Sequence, residues 1–390
     1  MKKIMFIVLI LSFSFSVASA EKIQVKKPSS LFSKSAIVID SKTGSILYSK
    51  KANRKMNPAS ITKIATAIYA LENGDLDDTV TVSKNAASTE GSSVYLMEGE
   101  KMSLKQLLQG MMVNSGNDAA VAIAEHLEGS VENFSNHVNT FLQEKIGVTH
   151  THFVNPHGLY NKNHYTTAYD MAIITSYALN NAKFKSLFGT EEVDWKAEGW
   201  KTKLITHHKM VKGELPYPEV TGGKNGFVDE AMHTLVTSAE NKDLSVVVVT
   251  LKAQSKNAIY RDTKALLDYG LNGFARNTIP KETVFQLENQ SYKLNKDVEY
   301  THAINGKIKE RLSPDGMLTL FNEDHSKNLT VQLTKKKKET ALQENNSLAS
   351  AHGSILSSNP RQLLFYPMMV YMIMLVIAGI SILRYKQSNM

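Results

Sequence analysis

Leu363 to Leu383 runs for 21 residues without a charge. As a helix rising about 1.5 Å per residue it reaches roughly 31 Å, enough to cross the hydrocarbon of a bilayer. That stretch constrains the chain most, because it sets the rest of the molecule beside a membrane. Tyr366, Tyr371 and Tyr385 suit the two interfaces, and Arg384 and Lys386 predict a short cytoplasmic tail over 384–390. A buried helix of a soluble core is the competing reading. At the other end, Lys2-Lys3, the apolar run Ile4 to Val17 and the small residues Ala18-Ser19-Ala20 read as a secretory signal peptide over 1–20, with an uncleaved anchor as the alternative. The body is therefore expected outside a cell, tethered through its C-terminus to the cell membrane. The absence of cysteine excludes a disulfide scaffold, thiolate zinc sites and a cysteine nucleophile. It also suits a bacterial surface better than a eukaryotic secretory route. The formal charge of +8 falls to +4 once Lys2, Lys3, Arg384 and Lys386 are set aside, so no nucleic-acid partner is expected.

Between the ends the pattern changes once. Ala36 to Asp40 and Ser45 to Tyr48 flank Ser-Lys-Thr-Gly, a hairpin signal. Ile61, Ile64, Ile68 and Leu71 follow at helical spacing from Pro58. Ser103 reads as the N-cap of a helix ending near Val113, and Asn114 to Asn117 break it before a second helix, Asp118 to Leu127. Downstream, Thr234 to Ala239 and Leu244 to Leu251 predict a hairpin whose apolar run, Val246 to Val249, suits a central strand. Strands at both ends with helices between them predict an α/β (α+β) domain with an antiparallel sheet. From about Arg276 to Lys338, short alternating stretches predict a small all-β domain. Lys335 to Lys338 then lead into a polar linker, read as a spacer to the membrane over 339–362. The basic run is a solvated terminus or, in a minority reading, a contact for anionic wall polymer or lipid head groups.

Three clusters carry chemistry. Ser60-Ile-Thr-Lys63 places a hydroxyl and an amine three residues apart on one helix face. A serine becomes nucleophilic when a neighbouring base takes its proton, and a lysine can serve if burial or nearby cations depress its pKa. Alone the pattern is weak: it also occurs at Ser19 to Lys22, across the expected cleavage site. Ser115-Gly-Asn117 sits in the break between two helices, either as an ordinary turn or as a hydroxyl and an amide facing a cleft. Gly222-Gly-Lys224-Asn225-Gly226 precedes the apolar hairpin. It is either a glycine-rich turn or a strand edge whose lysine binds a carboxylate while its backbone pairs with an extended peptide.

In this order, with 55 residues from Ser60 to Ser115 and 109 from Ser115 to Lys224, the clusters resemble the Ser-x-x-Lys, Ser-x-Asn and Lys-x-Gly set of penicillin-binding proteins and serine β-lactamases. The spacing is similar to that of the D-alanyl-D-alanine carboxypeptidases, the low-molecular-mass penicillin-binding proteins. Asn57 to Lys63, Phe153 to Leu159 and Tyr165 to Asp170 also look like that family. The resemblance is close over about Ser35 to Asn272. It implies a serine carboxypeptidase domain over 21–275, the small β domain over 276–338, and a spanning helix over 363–383. It further implies that Ser60 attacks the penultimate D-alanine carbonyl of a wall stem peptide, with Lys63 as general base and Ser115 as proton relay. Asn117, Lys224, Asn225 and Gly226 would bind substrate. The backbone N–H groups of Ser60 and Phe227 would form the oxyanion hole. Peptidoglycan stem peptides are the implied substrate, β-lactams the covalent inhibitors, and no metal or organic cofactor is required. His150, His152, His207 and His208 are read as surface side chains.

The third motif departs from the family's usual Lys-Thr-Gly. The Asn225 amide can still donate to a terminal carboxylate; losing that bond outright would cost about 1–3 kcal/mol, or roughly 5- to 150-fold in rate. Thr221 stands where an acidic residue often precedes this motif. Two other functions stay open on the sequence: a catalytically weakened wall-binding protein on the same fold, and a β-lactamase.

Overall fold

The computed structural model describes residues 26–323 and 327–336. The expected signal peptide, Lys337 and Lys338 of the basic run, the linker, the spanning segment and the tail lie outside them. Among the described residues no helix is long and apolar enough to cross a membrane.

The first hairpin is β1 (Ser35–Asp40) and β2 (Ile46–Lys50). A 3₁₀ turn, Ala59–Thr62, then runs straight into α1 (Lys63–Asn73). A helical lobe follows. It contains β3 (Thr79–Thr81), the single turn α2 (Lys84–Ala87), β4 (Lys101–Ser103), α3 (Leu104–Val113), α4 (Asn117–Glu128), α5 (Val131–Phe141), α6 (Ala168–Leu179) and α7 (Ala182–Phe188). The hairpin β5 (Glu192–Lys196) and β6 (Lys201–Ile205) lies against it. The chain then returns to the main sheet as β7 (Val220–Val228), β8 (Met232–Glu240) and β9 (Ser245–Ala253), and crosses it as α8 (Lys256–Gly273).

Local chemistry sets these bounds. Ser103 opens α3 with a reciprocal capping box, its hydroxyl accepting from Gln106 N–H while the Gln106 side chain takes the Ser103 N–H. Ser255 caps α8 and Thr167 caps α6 from one side only, each accepting from the backbone three residues on. Asn241 makes the β8–β9 turn by accepting from the backbone N–H groups of Asp243 and Leu244.

The main sheet is antiparallel in the order β2-β1-β9-β8-β7. Its inner strands β1, β9 and β8 are buried on both faces, which explains why β9 reads as an unbroken valine run rather than an alternation. Val247 and Val249 face the helical lobe together with Ile37 and Ile39. Val246 and Val248 face α8, packing with Val38, Leu266 and Leu267. β7 is the outer strand on the side of α1, so one of its backbone edges is left without a strand partner in this sheet.

Beyond α8 come β10 (Phe274–Ile279), β11 (Val284–Leu287), β12 (Gln290–Lys293), β13 (Val298–Ala303), β14 (Lys309–Leu312), β15 (Met317–Phe321), β16 (Lys327–Gln332) and β17 (Thr334–Lys335). They form small antiparallel sheets around a core of Tyr292, Leu294, Val298, Leu318, Leu320 and Leu333. β10 begins at Phe274 and leaves α8 without a linker, so the boundary expected at 275/276 falls inside a strand. The joint is polar and closed. Fully buried Asp40 accepts from Arg276 Nη2 at 2.7 Å, Arg276 Nε at 3.1 Å and Thr301 Oγ1 at 2.5 Å. Burial pushes the Asp40 pKa up, but the hydrogen bonds from Arg276, Thr301 and the Lys42 N–H outweigh it, and the net shift is downward.

Candidate active site

The 3₁₀ turn sets Ser60 and Lys63 on one face, as the spacing predicts. The Ser60 hydroxyl lies 3.2 Å from Lys63 Nζ. Residue 59 enters this turn with φ +51, a left-handed conformation that the sequence does not announce at an alanine. Several side chains hold it there. Asn57 Oδ1 accepts from the Ala59 N–H at 3.0 Å, and Thr234 Oγ1 on β8 donates to the Pro58 carbonyl at 2.8 Å. Thr62 Oγ1 donates to the Ala59 carbonyl at 2.8 Å and contacts His164 Nε2 at 2.9 Å. His164 Nδ1 accepts the Val154 N–H, so the ring proton belongs on Nε2 and points at Thr62. Burial, with a smaller contribution from His152, lowers the His164 pKa to about 3, so this brace is neutral.

Lys63 is fully buried, and its three contacts define its protonation chemistry. Besides Ser60 it meets Asn117 Oδ1 at 2.7 Å and the His157 carbonyl at 2.9 Å. Both of those are acceptors only. A neutral amine has two N–H groups and one lone pair, so the N–H groups go to Asn117 and His157. The lone pair is left facing the one partner with a proton to give, Ser60. The neutral form is favoured: burial first and the Lys224 charge second hold the Lys63 pKa well below the ordinary lysine value, with Asp118 opposing.

The helix break brings the second cluster in. Ser115 sits at φ +65 between α3 and α4. Its hydroxyl accepts from Lys224 Nζ at 3.0 Å, which leaves its own proton free. Asn117 opens α4, and its Nδ2 donates to the Glu90 carbonyl at 2.7 Å, so its side chain is clamped between Lys63 and the cleft wall. Lys224 lies on β7 and also donates to the Asn225 carbonyl at 3.1 Å; burial lowers its pKa to about 7. Three N–H groups and two acceptors leave one proton for a ligand anion.

Gly226 is placed by close approach. A Cβ there would lie 2.6 Å from the Ser60 nitrogen and 2.6 Å from Thr234 Oγ1, so only glycine lets β7 pass this near the nucleophile. Phe227 follows, 53% exposed, with its ring against His233 at a centroid distance of 4.8 Å. The Asn225 side chain, part-buried on the same strand, makes no hydrogen bond among the described residues. All eight residues singled out in the three clusters and their flanks thus lie on two sides of one cleft, the Ser60 turn with the start of α1 and the α3–α4 break on one side and β7 on the other.

The sequence reading missed two contributors and misplaced a third. The His157 carbonyl is a ligand of Lys63, and Gly158 beside it has φ +94 and would run any Cβ into the Ala59 carbonyl. A backbone carbonyl has no residue-type signature; the only available signal was the glycine in Phe153 to Leu159. His208, read as a surface side chain, is fully buried: Nε2 contacts Thr237 Oγ1 at 2.9 Å and Nδ1 accepts the Val211 N–H at 3.3 Å. Burial, then Lys224, lowers its pKa to about 3, making it a neutral strut behind β7. Among the described residues no group of three or more His, Cys, Asp or Glu side chains could hold a metal ion.

Three comparisons bear on this geometry. The D-alanyl-D-alanine carboxypeptidase family model matches residues 21–255. The D-alanyl-D-alanine carboxypeptidase DacF of Bacillus subtilis is 34% identical over 281 residues, covering 70% of this chain and 71% of the relative. The D-alanyl-D-alanine carboxypeptidase DacA of Haemophilus influenzae is 30% identical over 304 residues, 72% of this chain and 74% of its own. Among solved structures, penicillin binding protein 5 from Haemophilus influenzae superposes with a TM-score of 0.68 over 80% of this chain and 98% of that one. At 24% identity this likeness speaks for the fold.

Proposed function

The chain belongs to the D-alanyl-D-alanine carboxypeptidase family, and on that premise we propose how its residues divide the work. It is a peptidase of the penicillin-binding kind, acting on peptidoglycan peptides and binding β-lactams. Ser60 is the nucleophile and Lys63 its base. The Ser60 proton moves to the Lys63 lone pair as Oγ attacks the penultimate D-alanine carbonyl. The Ser60 and Phe227 N–H groups hold the oxyanion, and the helix that starts at Lys63 aims its positive end at the same charge. Ser115 passes a proton to the leaving D-alanine nitrogen, while Lys63 restores it. Lys224 and the unpartnered Asn225 amide hold the terminal carboxylate, and Asn117 holds the peptide backbone. Water then hydrolyses the acyl-enzyme.

One observation carries the assignment: Lys63 is buried with its two other contacts restricted to acceptors, which leaves its lone pair to Ser60. The full-length protein in detergent, given a peptide ending in Lys-D-Ala-D-Ala, should release D-alanine, and Ser60→Ala should release none. Release that persists in Ser60→Ala overturns the nucleophile. Attachment to the cell membrane through 363–383, with the catalytic domain outside, is proposed on the sequence of the two ends. Cleavage with an external protease on intact cells tests it: a catalytic domain that stays protected refutes the orientation.

A further inference from the structure

The wall of the cleft at Asn117 continues into an aromatic surface that the chemistry above does not use, with Tyr95 exposed and Trp200 half-buried against the core. Segment 90–96 is fixed to the α3–α4 break: the Asn117 N–H donates to the Ser92 carbonyl at 2.7 Å and Asn114 Nδ2 to the Ser93 carbonyl at 2.9 Å. Fully buried Asp118 accepts from Ser93 Oγ at 2.6 Å, Val94 N–H at 3.0 Å and Leu96 N–H at 3.1 Å. Between those last two donors stands Tyr95, with φ +60 and 62% of its surface exposed. A bulky side chain in the left-handed region costs energy, and here the mostly exposed ring returns little of it through burial. The Tyr95 ring instead meets Trp200 edge to face, at 5.1 Å and 86°.

Trp200 comes from the tip of the β5–β6 hairpin, whose buried Trp195 anchors it in the helical lobe. Glu100 ties tip to wall, one carboxylate oxygen accepting the Glu198 N–H at 2.5 Å and the other the Met97 N–H at 3.1 Å. Met97, half exposed, completes the shelf. Two separate elements are thus held together at the rim. Tyr95 is three residues from Ser92, at most about 10 Å of chain.

We propose that Tyr95 and Trp200 form a subsite for a sugar ring of the glycan strand carrying the stem peptide being trimmed. The proposal rests on the carboxypeptidase reading of the site. Asn117 holds the peptide backbone in that reading, and on this proposal the chain runs from the scissile bond toward the glycan along this wall. The two rings offer apolar faces with polar tips, and the exposed carboxylates of Glu98 and Glu198 stand at the edge of the shelf. That suits the C–H faces of a pyranose whose hydroxyls reach the rim, and suits an anionic partner poorly.

The test compares D-alanine release by the full-length protein from a free pentapeptide and from the same pentapeptide on an N-acetylglucosaminyl–N-acetylmuramyl disaccharide. Tyr95→Gly is the first variant, because glycine accepts φ +60 and removes the ring without strain. Trp200→Ala is the second, and Tyr95→Phe is the rescue. The disaccharide substrate should lose about 3- to 10-fold in kcat/KM in the first two variants, through KM, with Tyr95→Phe close to wild type. The free-peptide value should hold. Equal losses on both substrates would assign the shelf to the peptide and overturn the proposal, and so would no loss on either. Calorimetric binding of both compounds to Ser60→Ala, with and without Tyr95→Gly, reads the shelf without turnover. Failure of the carboxypeptidase reading is thereby told apart from failure of the subsite.

Discussion

Gly226→Ala isolates the oxyanion geometry from the rest of the site. The backbone at residue 226 needs no left-handed φ, so alanine is tolerated locally and β7 keeps its pairing with Thr234 on β8. The added methyl would meet the Ser60 nitrogen and Thr234 Oγ1 at 2.6 Å and the Ala59 Cβ at 2.9 Å. Ordinary carbon contacts begin near 3.5 Å, so the turn and strand must part by roughly half an ångström or more. Overpacking of this kind costs about 1–3 kcal/mol of stability, a loss the folded protein should survive with a lowered Tm. Catalysis should suffer more. Oxyanion donors work at about 2.7–3.1 Å from the developing charge, and removing one typically costs about 10²- to 10³-fold in kcat. The methyl also screens the Ser60 N–H itself. The assay is the second-order rate of acylation by a fluorescent penicillin, followed by D-alanine release from the peptide, with Tm measured on the same sample. Acylation within tenfold of wild type in a protein that melts as a folded domain would refute the placing of the oxyanion hole between Ser60 and Phe227.

Free-enzyme kcat/KM should be bell-shaped in pH, rising as Lys63 loses its proton and falling near pH 7 as Lys224 loses the charge that meets the substrate carboxylate; a profile still rising above pH 9 contradicts these roles. Asn225→Ala should lower kcat/KM about 5- to 150-fold, while Asn225→Thr stays within about tenfold of wild type; a much larger gain in Asn225→Thr would mean that asparagine has weakened the enzyme. Arg276→Ala leaves Asp40 buried without its cation and should cost about 3–5 kcal/mol in denaturant unfolding. Because the folded pKa of Asp40 is depressed, its contribution in the wild type is present above the unfolded carboxylate pKa and fades as pH falls through the folded value. The deficit of Arg276→Ala should therefore narrow toward acid, and a deficit independent of pH would count against the ion pair.

The sequence showed the ends of the sheet and the helix break clearly, because turn formers and apolar periodicity act over a few residues. The hairpins at Ser35 to Lys50 and at Thr234 to Leu251 appear where Thr-Gly and Asn-Lys-Asp predict them, and α3 starts at its capping serine. Ser60 with Lys63 was weak evidence alone, since the same pattern recurs at Ser19 to Lys22; the order and spacing of three clusters made it specific. What escaped was tertiary. Nothing local marks the His157 carbonyl as a partner of Lys63, Ala59 as left-handed, or His208 as interior rather than surface. Each depends on which distant strand or loop arrives opposite. The small sheets beyond α8 were legible as β structure but their pairing was not, because short alternating stretches specify register weakly.

The position of β1 between β2 and β9 has a consequence for the order of events in folding. Ser35 pairs with Leu251, so two neighbouring strands are separated by roughly 200 residues of chain. Closing that loop is slow compared with forming the helical lobe, whose contacts lie close together in sequence. β7, which carries Lys224 and Gly226, reaches the sheet only through β8 and β9. During synthesis, a ribosome that has delivered the nucleophile, its base and the whole helical lobe has still made no cleft. The catalytic centre can come into being only once the chain has been made through Ala253, when the late strands zip onto a strand that has been waiting unpaired on that side since the start.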